Sequence, residues 1–456
     1  MKNENTKPGY PAKFWPALIV FSLTGQIAWV VENMYFNVFI YKMFHASAES
    51  ISLMVAASAA AAALTTVIIG ALSDKVGKRK IFMCAGYILW GLSIITFAFI
   101  RTDVITKLFP GIAASTAAAA ASAASMGVTL TIIMDCVMTF FGSSANDAAF
   151  NAWLTDAADH GGRGAAEGVN SMMPLIAILV VFGGFMSFDL NEQSSWVTIF
   201  TIIGAAVMLI GLLGIFLITE TGRKKAENSR YFANIVYGFR PSVVGANRTL
   251  YITLIEFIIF NISIQIFMPY LLLYYDVSLG IHNYVVIFAP AILVAAVVTV
   301  IVGRLYDRVG FGVSVYLALA MLMAGYVFLY FFRSTVPVFI GSLLMMSGYL
   351  SGMAVFGATI RDNIPHGKAG MFQGLRIFSQ VLIPGLIGPF IGAAILKNAD
   401  VIVNDDGTTS FIPNKYIFLA AFLAAAVLLA VVALVIRRKQ SNAGAVSEMI
   451  DPTEGN

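Results

Sequence analysis

Two segments place an acid, an imidazole and glycines in one frame. "DAADHGGRGAAEG" from Asp156 and "DNIPHGKAGMFQG" from Asp362 both read D-x3-H-G-x2-G-x3-G. An Asp and a His on a glycine-rich loop are material for general acid–base chemistry. A second group of polar side chains sits inside otherwise apolar stretches. Gln26, Trp29, Asn33 and Asn37 recur at three- and four-residue spacing, with Glu32 beside them, and so share one helical face. Ser143, Asp147, Phe150 and Asn151 repeat the pattern with Asn146 alongside, and smaller sets occur at Asn261 and Gln265 and at Gln373, Arg376 and Gln380. An aromatic ring beside amides and a carboxylate suits a sugar, whose C–H faces stack on the ring while its hydroxyls meet the polar groups.

The elements that must position these residues are membrane helices. Hydrophobic residues make up 59% of the chain and charged residues 11%, about half the charge of a soluble domain. Ile81–Ile100, Trp196–Ile218, Val336–Ile360 and Tyr416–Ile436 carry no charge at all, and about 20 apolar residues cross a bilayer. The polar start, "MKNENTKPGYPAKF", precedes the first apolar run without a small-residue cleavage site, so that run is expected to stay as the first helix. Cys84 and Cys136 both lie in apolar stretches, with neither disulfide nor metal spacing. No metal site and no cofactor are expected.

Breaks at charged and turn-rich positions predict twelve spans: 14–41, 50–72, 81–100, 130–154, 167–188, 196–219, 250–275, 283–303, 312–332, 336–360, 371–396 and 415–436. The Ala- and Ser-rich 101–129 segment reads equally as outer loop, interfacial helix or extension of helix four. With both termini cytoplasmic, 21 of the 28 Lys and Arg residues fall on the inner side and 6 on the outer, with Arg376 inside a span. That asymmetry orients a multi-pass protein of the cell membrane. The net charge of +4 therefore reports topology and gives no nucleic-acid footprint.

Glu220–Arg248, the longest inner segment, divides the spans six and six. The expected organisation is an N-terminal bundle over 1–219, a cytoplasmic linker over 220–249, a C-terminal bundle over 250–437 and a tail over 438–456. "GALSDKVGKRK" at Gly70 follows helix two, and "GRLYDRVGFG" at Gly303 follows helix eight. The D-x3-H-G pair follows helices four and ten. Loops that recur at matching places in two halves are architectural, so these frames are read as tight inner turns with glycines supplying backbone freedom, and His160 and His366 as solvated residues at the water edge. Nothing else suggests an enzyme. There is no HExxH, G-x-S-x-G or phosphate-binding glycine loop, and no catalytic residue is assigned.

Two six-helix halves with Gly70, Leu72, Asp74, Gly77, Arg79 and Lys80 between helices two and three resemble the major facilitator superfamily. The second copy keeps Gly303, Asp307, Arg308 and Gly310 but lacks the trailing Arg-Lys pair. The resemblance implies an all-α fold of twelve transmembrane helices in two pseudo-symmetric bundles. It also implies a cytoplasmic gate held shut by Asp74 and Arg79, with Asp307 and Arg308 as counterparts. "NDAAFNAWLTD" at 146–156 and "GYILWG" at Gly86 resemble the glycoside–pentoside–hexuronide cation symporters, the melibiose-carrier type. In that family a helix-four Asp meets sugar and cation and a basic residue lies in helix eleven, places that Asp147 and Arg376 approximately match. Its sodium site uses an acidic pair on helix two, whereas helix two here has no carboxylate within its span. That route to sodium coupling is excluded.

The reading is a secondary transporter, expected to act as a monomer, that moves a sugar or glycoside by alternating access with a proton or other monovalent cation. Substrate binding is expected from Gln26, Trp29, Glu32, Asn33, Asn146, Asp147, Asn151, Asn261, Gln265, Arg376 and Gln380. Burial penalises the ionised form of a carboxylate, so Asp147 or Glu32 is expected to carry the proton. Asp135 lies about 120° round a regular helix from Asp147 and is kept out of the central site. Glu256, near the start of helix seven, is expected in a gate salt bridge. The rivals are a transporter of a drug-like or lipid-like amphiphile and a receptor without transport.

Overall fold

In hydrocarbon every backbone N–H and C=O must be satisfied by the chain itself, which a helix does unaided. The computed structural model describes residues 13–109, 117–157, 163–219, 238–365, 374–404 and 407–450. Among them, eleven helical runs are long and apolar enough to cross a bilayer. Helices one to seven are Phe14–Phe44, Ala48–Gly70, Arg79–Phe99, Ala121–Asp156, Ala165–Phe185, Gln193–Leu217 and Arg248–Ser278. The next run, Val285–Phe331, has 47 residues. As one rod it would reach about 70 Å, roughly twice the bilayer's hydrocarbon thickness. It is not one rod, because Gly310 breaks it with a non-helical backbone (φ 75°, ψ −168°). The run is therefore helices eight and nine, and Thr335–Asn363, Gly374–Leu396 and Tyr416–Arg438 complete the twelve.

Gly310 stands at the same place in its motif as Gly77 in the first, and Gly77 also has positive φ (70°), closing helix two. The motif repeats because both turns need a residue with positive φ, which glycine supplies without a Cβ penalty. Helix four starts earlier than expected. Its α-helix runs from Ala117, preceded by the short helix Thr102–Leu108. Much of 101–129 is therefore an extension of helix four.

Helix one packs on helices five and six, helix three on six, and helix seven on eleven and twelve. The halves meet where helix two lies on helix eleven and helix five on helix eight. A Cβ at Gly385 would come within 2.5 Å of the Ala59 Cβ, so that glycine permits the first crossing. Phe182 packs on Phe288 at 5.9 Å between ring centroids at the second. Between helices eleven and twelve, Val401–Val403 pairs antiparallel with Thr409–Phe411. This hairpin lies at the opposite end of the bundle from the Gly77 and Gly310 turns, and the two ends are called here the hairpin side and the turn side.

Contacts between the halves gather on the hairpin side. Tyr41 donates to the Phe411 carbonyl at 2.6 Å, the His45 ring meets the Ser410 hydroxyl at 3.1 Å, and Tyr270 donates to the Ala48 carbonyl at 3.0 Å. Lys42 at the end of helix one forms a salt bridge with Asp276 at the end of helix seven.

Candidate functional site

Four π-helical segments occur among the described residues: Val31–Tyr35, Ser143–Phe150, Tyr274–Ser278 and Phe378–Leu382. They belong to helices one, four, seven and eleven, the four whose sequences carry polar stripes. A π turn closes i→i+5 bonds, which widens the helix and changes which residues share a face. Such bulges concentrate at functional sites.

Within the first half, Gly25 brings helix one close to helices three and four. A Cβ there would lie 2.3 Å from Asn146 Nδ2 and 2.7 Å from the Tyr87 hydroxyl. Asn146 accepts from Trp29 Nε1 at 3.3 Å and donates to Tyr87 at 2.8 Å, and Tyr87 donates onward to the Phe21 carbonyl at 2.7 Å. Trp29 leans on Trp90 with ring centroids 5.0 Å apart. One residue on from Asn146, Asp147 accepts from Ser143 at 2.9 Å, and its charge acts on both Glu32 and Tyr87. Gln26 is half-buried. Asn33 and Asn151 are exposed, with their NH2 groups donating to the Trp29 and Asp147 carbonyls of their own helices. Asn37 does the same towards Asn33, and its buried Oδ1 has no partner.

Glu32, 7% exposed, sits at the second position of the π segment in helix one. Its Oε1 accepts from Ser58 of helix two at 2.5 Å and from Thr139 of helix four at 2.8 Å, and the two hydroxyls lie 2.9 Å apart. Asp135, kept out of the central site on sequence, joins this cluster around Glu32. It is 2% exposed and interacts with Glu32 and Ser58. Its expected exclusion rested on its angle from Asp147. Residues 143–147 of that interval lie in the π segment, where about 100° per residue no longer holds, and an angle from Asp147 does not fix a distance from Glu32.

In the second half, Asn261 is buried and donates to the Phe257 carbonyl of its own helix at 2.8 Å. Gln265 is half-buried where helix eleven crosses helix seven, since a Cβ at Gly388 would fall 2.4 Å from its own. Gln380 is half-buried inside the helix-eleven π segment. Arg376 lies near the turn-side start of helix eleven, and the charges acting on it are those of Arg361 and Glu167. It forms no salt bridge with Asp147 in this conformation. Glu256 is buried and lines a cavity of about 200 Å³ with Thr249, Thr253, Tyr306, Thr359 and Asn363.

The turn-side motifs interlock within each half. Arg79 pairs with Asp156 at 3.2 Å and donates to Ser73 at 2.5 Å. Asp156 opens the first D-x3-H-G frame, so the two motifs of this half brace one another. In the second half Asp362, which opens the other frame, accepts from Tyr306 of the Gly303 motif at 2.6 Å. Asp307 and Arg308 are exposed. His160, His366 and Gln373 lie outside the described residues, as does the side chain of Asp74.

Sequence reasoning missed Tyr87, Ser58 and Thr139, and it set Asp135 aside. A single hydroxyl in an apolar helix carries no signal beyond packing. Asp135 did carry one, because an ionisable residue in a span is costly.

A family model described as Major Facilitator Superfamily matches residues 15–389. Among solved structures, the nucleoside transporter NupG aligns at a TM-score of 0.66 and 11% identity, over 92% of this chain and 98% of that one. A bacterial homolog of the human lysosomal transporter Spinster, in an inward-facing and occupied conformation, aligns at 0.67 and 17%, over 95% of this chain and 98% of that one. At these identities the likeness is one of fold. No curated protein matches.

Proposed function

The chain belongs to the major facilitator superfamily, and on that premise we propose that it moves a sugar or glycoside across the cell membrane by alternating access, coupled to a proton. One observation carries the reading: the polar stripes and the π segments fall on the same four helices, one, four, seven and eleven. An amide-rich lining with an aromatic ring offers donors, acceptors and a stacking face together, which suits a polyhydroxyl solute better than an amphiphile. Two-repeat transporters bind near the midplane between their halves, where Trp29, Asn146 and Asp147 would meet Gln265 and Gln380. Asn33 and Asn151 stand exposed within their spans, free to offer Oδ1 to a ligand.

The Lys and Arg asymmetry favours a cytoplasmic turn side and an outer hairpin side. On that orientation the contacts gathered on the hairpin side close the outer face, which supports an inward-facing reading of this conformation. Asp74 and Arg79 would then act in the opposite, outward-facing state. A cysteine placed at Ala226 should be labelled from the cytoplasm only, and labelling from outside would overturn the orientation.

The transport test is uptake by proteoliposomes of a labelled panel of sugars, glycosides and nucleosides, the last being N-glycosides. It is run with and without imposed proton and sodium gradients. Accumulation of a sugar or glycoside driven by a proton gradient is the expected result. Accumulation that follows sodium at constant pH would overturn the coupling, and uptake of amphiphiles alone would overturn the substrate class.

A further inference from the structure

Glu32 and Asp135 present a problem that the substrate site does not solve. Both are carboxylates, at most 7% exposed, in the interior of the first half. Among the described residues the charged groups acting on them are each other and Asp147, with no Lys or Arg beside either. The Cys136 thiol, next to Asp135 in the chain, also lies within reach of both charges. Two buried anions without a counter-charge are not a stable arrangement, and one must be neutralised.

The hydrogen-bond inventory shows where the neutralising charge belongs. Glu32 Oε1 is saturated by the Ser58 and Thr139 hydroxyls, whereas Glu32 Oε2 and Asp135 Oδ1 are buried without any partner. An ionised carboxylate has only acceptor atoms, so each bare oxygen lacks a donor. One proton supplies it by turning one group into a carboxylic acid that donates to the other. The oxygens Glu32 Oε1, Ser58 Oγ and Thr139 Oγ1 touch one another at 2.5, 2.8 and 2.9 Å, which leaves no room for an ion among these three, and among the described residues no three His, Cys, Asp or Glu side chains gather to hold a metal ion.

We propose that Glu32 and Asp135 form a carboxylic acid dyad that holds one shared proton, oriented by Ser58 and Thr139 and separate from the Asp147 site that meets substrate. The dyad spans helices one and four, with Ser58 anchoring it to helix two. Glu32 lies on the π segment of helix one, three residues from Trp29, so substrate at the ring and the proton at the dyad share one element. A proton arriving from solvent makes one O–H and one internal hydrogen bond. When it leaves, two adjacent anions remain, which favours the conformation that hydrates them.

This deepens the proton part of the proposed function and depends on that reading only for its transport consequence. The site itself is tested without substrate, by infrared difference spectroscopy of the full-length protein during a pH titration, following the C=O stretch of protonated carboxylic acids. The wild type should show a band that disappears as pH rises. Glu32→Gln and Asp135→Asn should each abolish it or move its midpoint by more than about one pH unit, because coupled acids titrate as a pair. Ser58→Ala, the milder change, should also move the midpoint. A titration unchanged in all three variants would overturn the dyad. So would a band lost in Asp147→Asn but kept in Glu32→Gln and Asp135→Asn, or one displaced when sodium replaces potassium at fixed pH. If the band behaves as expected while proteoliposomes take up no sugar, the dyad stands and the substrate reading falls.

Discussion

Asn146 is the residue on which the candidate site turns, because its amide both accepts and donates. It holds the Trp29 indole at 3.3 Å and the Tyr87 hydroxyl at 2.8 Å, fixing a ring that would otherwise rotate on two side-chain torsions. Interhelical hydrogen bonds within membranes contribute about 0.6 kcal/mol each on average. Asn146→Ala should therefore lower stability by only about 1–2 kcal/mol while loosening the ring. Substrate binding should respond more sharply at the groups that touch it. Trp29→Ala and Asn33→Ala are each expected to weaken binding about tenfold, roughly 1.4 kcal/mol, whereas His160→Ala and His366→Ala should leave it unchanged. Scintillation-proximity binding on purified protein measures all four. Loss of binding from the histidine changes alone would return the D-x3-H-G frames to chemistry. Trp29, Asn146, Asp147 and Glu32 were legible as mid-span polar residues at helical spacing. Tyr87 and Ser58 were not, since a lone hydroxyl among Leu and Ala reads as packing until its partner is known.

The elements were more legible than the residues, because hydropathy and repeated turns report on long stretches at once. The six-and-six spans and the paired motifs follow from apolar run length and from glycines at matching positions. The π segments left no mark in hydropathy or in motif spacing, since neither reports where a helix switches to i→i+5 bonds. The early start of helix four was obscured because an Ala- and Ser-rich run suits a loop, an interface or a helix equally. Gly310 and Gly303 separate the two roles of motif glycines. Both have open space where a Cβ would stand, but only Gly310 has positive φ. Gly310→Ala should therefore cost about 1–3 kcal/mol through backbone strain alone. Gly303→Ala, within a helix, should be neutral or stabilising by up to about 1 kcal/mol. Thermal unfolding followed by fluorescence size exclusion distinguishes them. Equal melting temperatures for the two variants would mean that the Gly310 turn relaxes without cost.

For the whole molecule, alternating access requires each end to be closed in one state and open in the other, so the closing contacts must be worth little enough to break. On the hairpin side they are a salt bridge and a few hydrogen bonds. Lys42 reaches Asp276 across the halves while also donating to Asn191 at 2.8 Å, and Asp276 meets His282 of its own half at 2.7 Å. Each charge has a second tether inside its own half, so opening need not leave either without a partner. Asp276→Asn removes the attraction between the halves, present only when this side is closed, and so favours the open form. A coupling of about 1–3 kcal/mol, the usual range for such equilibria, corresponds to a several-fold to roughly hundredfold change in the ratio of closed to open. Spin labels on the hairpin-side ends of helices one and seven should show more of the long-distance population in Asp276→Asn than in the wild type. The exchanged pair, Lys42→Asp with Asp276→Lys, should recover part of the closed state. If the distance distribution is unchanged in Asp276→Asn, closure rests on the helix two–helix eleven and helix five–helix eight packing, and the salt bridge follows the movement without biasing it.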